Sequence, residues 1–181
     1  MAATYDGTES KIYINGALVS TKNIDLPVPT NDFPLGIGGD PGFTSFNFRG
    51  ALDEVRVWSK ALTLAEIQAN MNCELQTTAD CLVANYHFNQ GTAGQDNASE
   101  TTLNDASGNG NDGTLNGYLL TGTASNWIAP GGVPSGQACS GAIVCEPGGG
   151  GDPGSDMTSV PTMSEWGLIL FALLILSLIH I

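Results

Sequence analysis

The chain has 181 residues, 18 acidic against 5 basic side chains and a formal net charge of −13, which leaves room for one domain and a tail. A surface so poor in Lys and Arg excludes nucleic acid as a partner, because phosphate binding relies on those side chains. Residues 1–60 hold all five bases beside seven acids, whereas residues 61–181 hold eleven acids and no base. With 24 glycines and only 13% charged residues, the composition suits an extracellular β-protein rich in turns better than a cytosolic helical enzyme.

Residues 1–58 read as antiparallel sheet. Lys11-Ile-Tyr-Ile, Asn15-Gly16 and Ala17-Leu-Val-Ser form a strand, a two-residue turn and a strand, the strongest short-range hairpin signal. Pro27, Pro29 and Pro34 break the next stretch into a loop and edge. Phe46 to Trp58 reads as a long strand region, alternating from Leu52 onward. Leu52, Glu54, Arg56 and Trp58 fall on one side, Asp53, Val55 and Val57 on the other. A short helix follows: Thr63 as N-cap with Glu66 three residues on is a capping box, and Leu62 with Ile67 is placed as a hydrophobic staple. Its end is expected near Met71–Asn72.

These blocks carry a resemblance. Ala3-Thr-Tyr-Asp-Gly-Thr, Ile12-Tyr-Ile-Asn-Gly, Leu35-Gly-Ile-Gly-Gly and Gly50-Ala-Leu-Asp-Glu-Val-Arg-Val-Trp, in that order, resemble the C-terminal half of a laminin-G-like, concanavalin A-like domain. The resemblance implies an all-β jelly roll or β-sandwich, incomplete here, over residues 1–72. Cut in half, such a sandwich exposes unpaired edges and a bare apolar face.

Residues 73–128 read as a further β-strand unit. Leu82, Ala84, Tyr86 and Phe88 alternate onto one face, with His87 on the other. The run Leu103-Asn-Asp-Ala-Ser-Gly-Asn-Gly-Asn-Asp-Gly-Thr-Leu resembles the opening strands of the same lectin-like family. Two readings stay open: the strands complete the preceding sandwich, or they begin another. The cysteines fall in two close pairs, Cys73 with Cys81 and Cys139 with Cys145, and neither spacing is a metal or redox motif. Two local disulfides are expected, with three pairings formally open. Residues 129–159 are Gly/Pro-rich and read as a flexible spacer.

At the end, Val160, Pro161, Thr162 and Met163, followed by Ser-Glu165-Trp166-Gly and an apolar run, resemble the bacterial C-terminal sorting signals named for the tetrapeptide I-P-T-L. The resemblance implies export, a membrane contact through residues 160–181 and processing by an exosortase-like protease. Trp166–Ile181 is only sixteen residues, short of the roughly 20 of a spanning helix, and no Lys or Arg follows Lys60. The final Leu176-Ser-Leu-Ile-His-Ile looks like a translated sequencing adaptor, and Met1-Ala-Ala-Thr-Tyr-Asp is strand-like rather than a signal peptide. Truncation at both ends is therefore expected.

Candidate chemistry is sparse. Asp53 and Glu54, as strand neighbours, point to opposite faces and cannot flank one scissile bond; Glu54 and Arg56 share a face and are placed to pair. Asp105, Ser107, Asn109 and Asn111 put oxygen side chains at alternate positions with Gly110 in sixth place, like the start of a calcium loop. Asp112 and Asn116 depart from that pattern, and a Gly/Asn turn is the alternative. His87 has no neighbouring ligand set in the sequence, and Trp58 and Trp127 read as packing residues. The expected function is a non-catalytic module binding a glycan or an extracellular protein, tethered at a bacterial surface, with Ca²⁺ as the one candidate cofactor. The alternatives are the accessory region of a larger secreted glycan-active enzyme and a purely structural surface protein.

Overall fold

The computed structural model describes residues 1–24, 32, 34–40, 43–76, 79–134 and 136–145; side chains of residue 40 and residues 43–46 are outside the description. The sorting motif and the apolar run after it, residues 160–181, lie outside the described residues. Among the described residues, no helix is long and apolar enough to cross a membrane. They fall into two compact units, one built on Met1–Gly50 and Ser59–Ile67, the other on Ala51–Trp58 and Gln68–Val144.

The first unit carries a three-stranded antiparallel sheet in the order β1 (Ala2–Tyr5), β2 (Glu9–Ile14) and β3 (Ala17–Asn23). The expected hairpin forms at Asn15-Gly16, where both residues have positive φ (50° and 72°) and Ile14 faces Ala17. Those dihedrals match the right-handed twist of the flanking strands, and the second position takes glycine without a Cβ penalty. Strand β3 is exposed along its whole length, with Leu18 and Val19 about half exposed, and Tyr13 on β2 supplies the buried apolar contact of the sheet. A second ladder joins β4 (Gly39–Asp40) to β5 (Phe43–Asn47).

The capping box forms as read. The Thr63 amide donates to Glu66 Oε2 (2.8 Å), and the Glu66 amide donates to Thr63 Oγ1 (3.3 Å). Helix α1 spans Leu64–Asn70, ending one residue before the expected stop, and Lys60 pairs with Glu66 at 2.7 Å.

The second unit is organised by β6 (Val55–Trp58) and β7 (Leu82–Tyr86), which pair antiparallel with Val55 opposite Tyr86 and Arg56 opposite Asn85. The long strand expected from Phe46 to Trp58 is interrupted between β5 and β6. Glu54 has φ +50°, a left-handed conformation that cannot continue a strand. Val57, Leu75, Leu82, Ala84, Tyr86, Leu103 and Leu120 supply the buried apolar side chains of this unit. A small hairpin pairs β8 (Thr102–Leu103) with β9 (Gly113–Thr114).

Two expectations need correction here. Cys73 bonds to Cys139, 66 residues away, rather than to Cys81; Cys81 and Cys145 are disulfide-bonded as well, and no cysteine is free. The first part of the expected spacer is also tied down. The Glu74 amide donates to the Gln137 carbonyl (2.7 Å), and the Cys139 amide returns to the Glu74 carbonyl (3.0 Å). A parallel bridge thus sets residue 74 beside residue 138. The Val133 amide donates to Asp53 Oδ2 at 2.8 Å. Backbone pairing of this kind places Cys73 next to Cys139, a proximity that close sequence spacing does not register.

Candidate functional site

The 104–112 loop between β8 and β9 gathers the four residues read as a calcium set. The Asp105 carboxylate accepts from the Asn85 amide (2.9 Å), the Ser107 amide (2.9 Å) and hydroxyl (2.8 Å), and the Asn111 amide (2.9 Å). Asn109 donates from Nδ2 to the Leu82 carbonyl (2.7 Å), and Asn111 donates to the Val83 carbonyl (2.8 Å). Gly108 and Gly110 take positive φ to close the turn. The sequence spacing therefore does bring these side chains together. Yet both Asp105 oxygens are filled by N–H and O–H donors, and the carboxamides offer N–H groups to strand β7 rather than oxygens to a common centre. This set does not fit a calcium cage, which needs six to eight converging oxygens. It is a clasp that fastens the loop to β7.

Burial by itself would raise the Asp105 carboxyl. The donors from Asn85, Ser107 and Asn111 outweigh it and hold Asp105 below the ordinary carboxylate range. Next to it, Tyr86 donates its phenolic proton to the Asn111 carbonyl at 2.6 Å. Burial pushes that phenol up to about 12, with the charges of Asp105 and Asp112 adding to the shift.

A second polar cluster, which no spacing in the sequence signals, surrounds His87. Its Nδ1 is 2.8 Å from Glu54 Oε1 and 3.8 Å from Glu74 Oε1. Arg56 completes the group, donating from Nη2 to Glu54 Oε2 (2.6 Å) and to the Cys73 carbonyl, and from Nη1 to the Asn70 carbonyl (2.7 Å). The expected Glu54–Arg56 pair is thus present and largely buried. Asp53 turns away from it toward residues 131–133, so the two carboxylates are separated, although neither residue lies in a strand as the sequence reading supposed. Glu74 is held below its ordinary value chiefly by the Gly136 amide, against burial, with help from Asn89 and His87. Glu74 escapes a sequence reading because it lies outside any named strand and acquires its role through the bridge to residue 138.

Trp127 packs its indole over Gly91, where a Cβ would come within 2.2 Å of the ring, and donates from Nε1 to the Phe88 carbonyl at 2.7 Å. That is a packing role. Trp58 lies in β6, half-buried.

Comparison with known proteins fits this architecture. Pappalysin-1 of Mus musculus is 37% identical over 76 residues, covering 39% of this chain and 5% of that protein. Pappalysin-1 of Homo sapiens is 34% identical over 84 residues, covering 44% of this chain and again 5% of the relative. The chain thus spans about one twentieth of the length of these curated relatives. No solved structure matches it. Among the described residues, antiparallel sheets with one short helix agree with a concanavalin A-like all-β fold, and the disulfides with the C-terminal motif fit an exported, surface-anchored protein. Residues 1–68 match the family model of the concanavalin A-like lectin/glucanases superfamily, and residues 158–178 match the IPTL-CTERM motif.

Proposed function

We propose that the chain is a non-catalytic binding module of an exported bacterial protein, held at the cell envelope through its C-terminal segment and presenting its lectin-like part to a glycan or an extracellular protein. The observation that carries this reading is the joining of a concanavalin A-like match to a sorting motif in one chain, with every cysteine oxidised. Cystines belong to oxidising compartments. A sorting protease of the exosortase kind is the partner this reading assigns to residues 160–166. Ligand choice does not follow from the fold, because lectin-like folds host many functions.

The test is expression of the full chain behind a secretion signal in an exosortase-bearing host, followed by surface labelling and binding to an array of glycans and matrix proteins. Surface display with saturable binding and no glycan turnover supports the reading. Retention in the cytoplasm, or hydrolysis of a bound glycan, defeats it.

A further inference from the structure

Glu54, Glu74 and His87 come from three separate stretches of the second unit, and each has its outer atom engaged elsewhere. Oε2 of Glu54 accepts from Arg56 Nη2 (2.6 Å), and Oε2 of Glu74 accepts from the Gly136 amide. His87 Nε2 lies 3.3 Å from Asn85 Nδ2. Glu54 Oε1 and Glu74 Oε1 both approach His87 Nδ1, Glu74 Oε1 also accepting from Asn89 Nδ2 at 3.4 Å, and one ligand atom from each of the three residues lies within 4.8 Å of the other two. Zinc bonds to nitrogen and oxygen measure about 2.0–2.1 Å, so tetrahedral neighbours stand about 3.3 Å apart. The separations of His87 Nδ1 from the two carboxylates, 2.8 and 3.8 Å, bracket that spacing.

We propose that these three atoms form a site for one divalent first-row transition metal ion, with Zn²⁺ the fitting occupant, distinct from the 104–112 loop. The chemistry of the set favours zinc over calcium. One imidazole nitrogen and two single carboxylate oxygens are too few and too nitrogenous for Ca²⁺, but match the three protein ligands of an open zinc site. A solvent molecule completes the fourth position.

Charge and the second shell point the same way. The Arg56 guanidinium pairs with Glu54, and the Glu54 and Glu74 side chains are only 8% and 11% exposed, so a further positive charge beside the two carboxylates is favoured. Ligating groups whose other atoms are already hydrogen-bonded are oriented in advance. Asn85 supplies an independent sign. It is 1% exposed, yet its Oδ1 has no hydrogen-bond partner, while its Nδ2 faces His87. Metal binding needs the Nδ1 lone pair, so the single proton of the neutral imidazole leaves Nδ1 and Nε2 takes one up from solvent, the ring keeping one proton throughout. Turning the Asn85 amide gives up the 3.2 Å bond to the Leu75 carbonyl and lets the orphaned oxygen accept from that Nε2–H.

The experiment titrates the metal-stripped full chain, disulfides intact, with Zn²⁺ by calorimetry and with Co²⁺ by visible absorption. Long-range ¹H–¹⁵N spectra of the imidazoles, with His180→Ala used to assign His87, report which nitrogen is coordinated without altering the site. One equivalent of Zn²⁺, a tetrahedral Co²⁺ spectrum and a coordination shift at His87 Nδ1 are expected. His87→Gln and Glu74→Gln should each weaken binding at least tenfold. Three results overturn the site: no binding, binding that survives both substitutions, or a metal that moves only the His180 resonances. A His87 ring that titrates with pH but ignores both metals also overturns it, since the pocket then holds a proton instead.

Discussion

Glu54 and His87 meet at 2.8 Å just beyond the paired ends of β6 and β7, although 33 positions separate them and Glu54 occupies a left-handed backbone conformation at φ +50°. A non-glycine residue in that region stores strain of about 1–3 kcal/mol and persists only where its surroundings hold it. Arg56 and His87 do the holding here, one on each carboxylate oxygen.

Removing the cation of this pair should therefore be costly. Arg56→Met leaves Glu54 buried without its charged partner, and the expected loss is about 3–5 kcal/mol in urea unfolding. A loss below roughly 1 kcal/mol would mean that the pair is screened by solvent and the burial assigned to it is wrong.

The clasp at Asp105 gives a second prediction. Asp105→Ala removes an acceptor shared by three backbone amides and one hydroxyl. The expected loss is about 2–4 kcal/mol, since bonds to a charged acceptor are the stronger kind and their donors are left buried. Calcium or EGTA should leave the wild-type Tm unchanged; a clear upward shift with Ca²⁺ that Asp105→Ala abolishes would instead restore the calcium reading of this loop.

Both ends of the pH scale should show the same unit loosening. Asp105 and Glu74 have folded pKa values depressed below 3.8 and 4.5, so the stability they contribute is present above those values. It falls away as pH drops through the lower folded ones. Tyr86 has the opposite sign. Its folded pKa is raised from 10.0 to about 12, so its contribution is whole below pH 10 and is lost as pH rises between those values. Urea midpoints measured across pH will check this, with Tyr86→Phe expected to flatten the alkaline limb. An alkaline limb unchanged in Tyr86→Phe would remove Tyr86 from the account.

Disulfide connectivity is directly readable. Proteolysis without reduction should yield a fragment joining the peptides of Cys73 and Cys139. The replacement Cys73→Ser with Cys139→Ser opens a 66-residue loop, and chain entropy predicts a loss of about 4 kcal/mol. A Cys73–Cys81 peptide in the digest would refute the bridge between residues 74 and 138 along with it.

How far the chain could be read without coordinates depends on how local each signal is. The Asn15-Gly16 turn and the Thr63–Glu66 capping box are decided within four residues by dihedral preference and by side chains reaching the nearest amides, and both form as read. The Glu54–Arg56 pair was expected from strand period, two residues apart, and it forms although Glu54, at φ +50°, stands outside the strand. The run from Asp105 to Asn111 was legible as a cluster of polar side chains, but not in its use. Whether the oxygens of such a loop face a cation or strand β7 depends on which unpaired backbone groups lie opposite, and Leu82 and Val83 carbonyls lie there.

Other features belong to the tertiary structure alone. Glu74 and Cys139 acquire their partners because residues 137–139 bridge residue 74, a choice made by non-local backbone hydrogen bonds and not by composition. Asn85 sits on the strand face that alternation assigns to polar groups, yet it is buried because residue 75 and the Asp105 loop cover that face. The sequence by itself determined turns, the cap, the strand period and the two family resemblances, since each depends on spacing along the chain. Tertiary structure decided the disulfide partner of Cys73 and the gathering of Glu54, Glu74 and His87, because long-range contacts cost loop-closure entropy that only the packed whole repays.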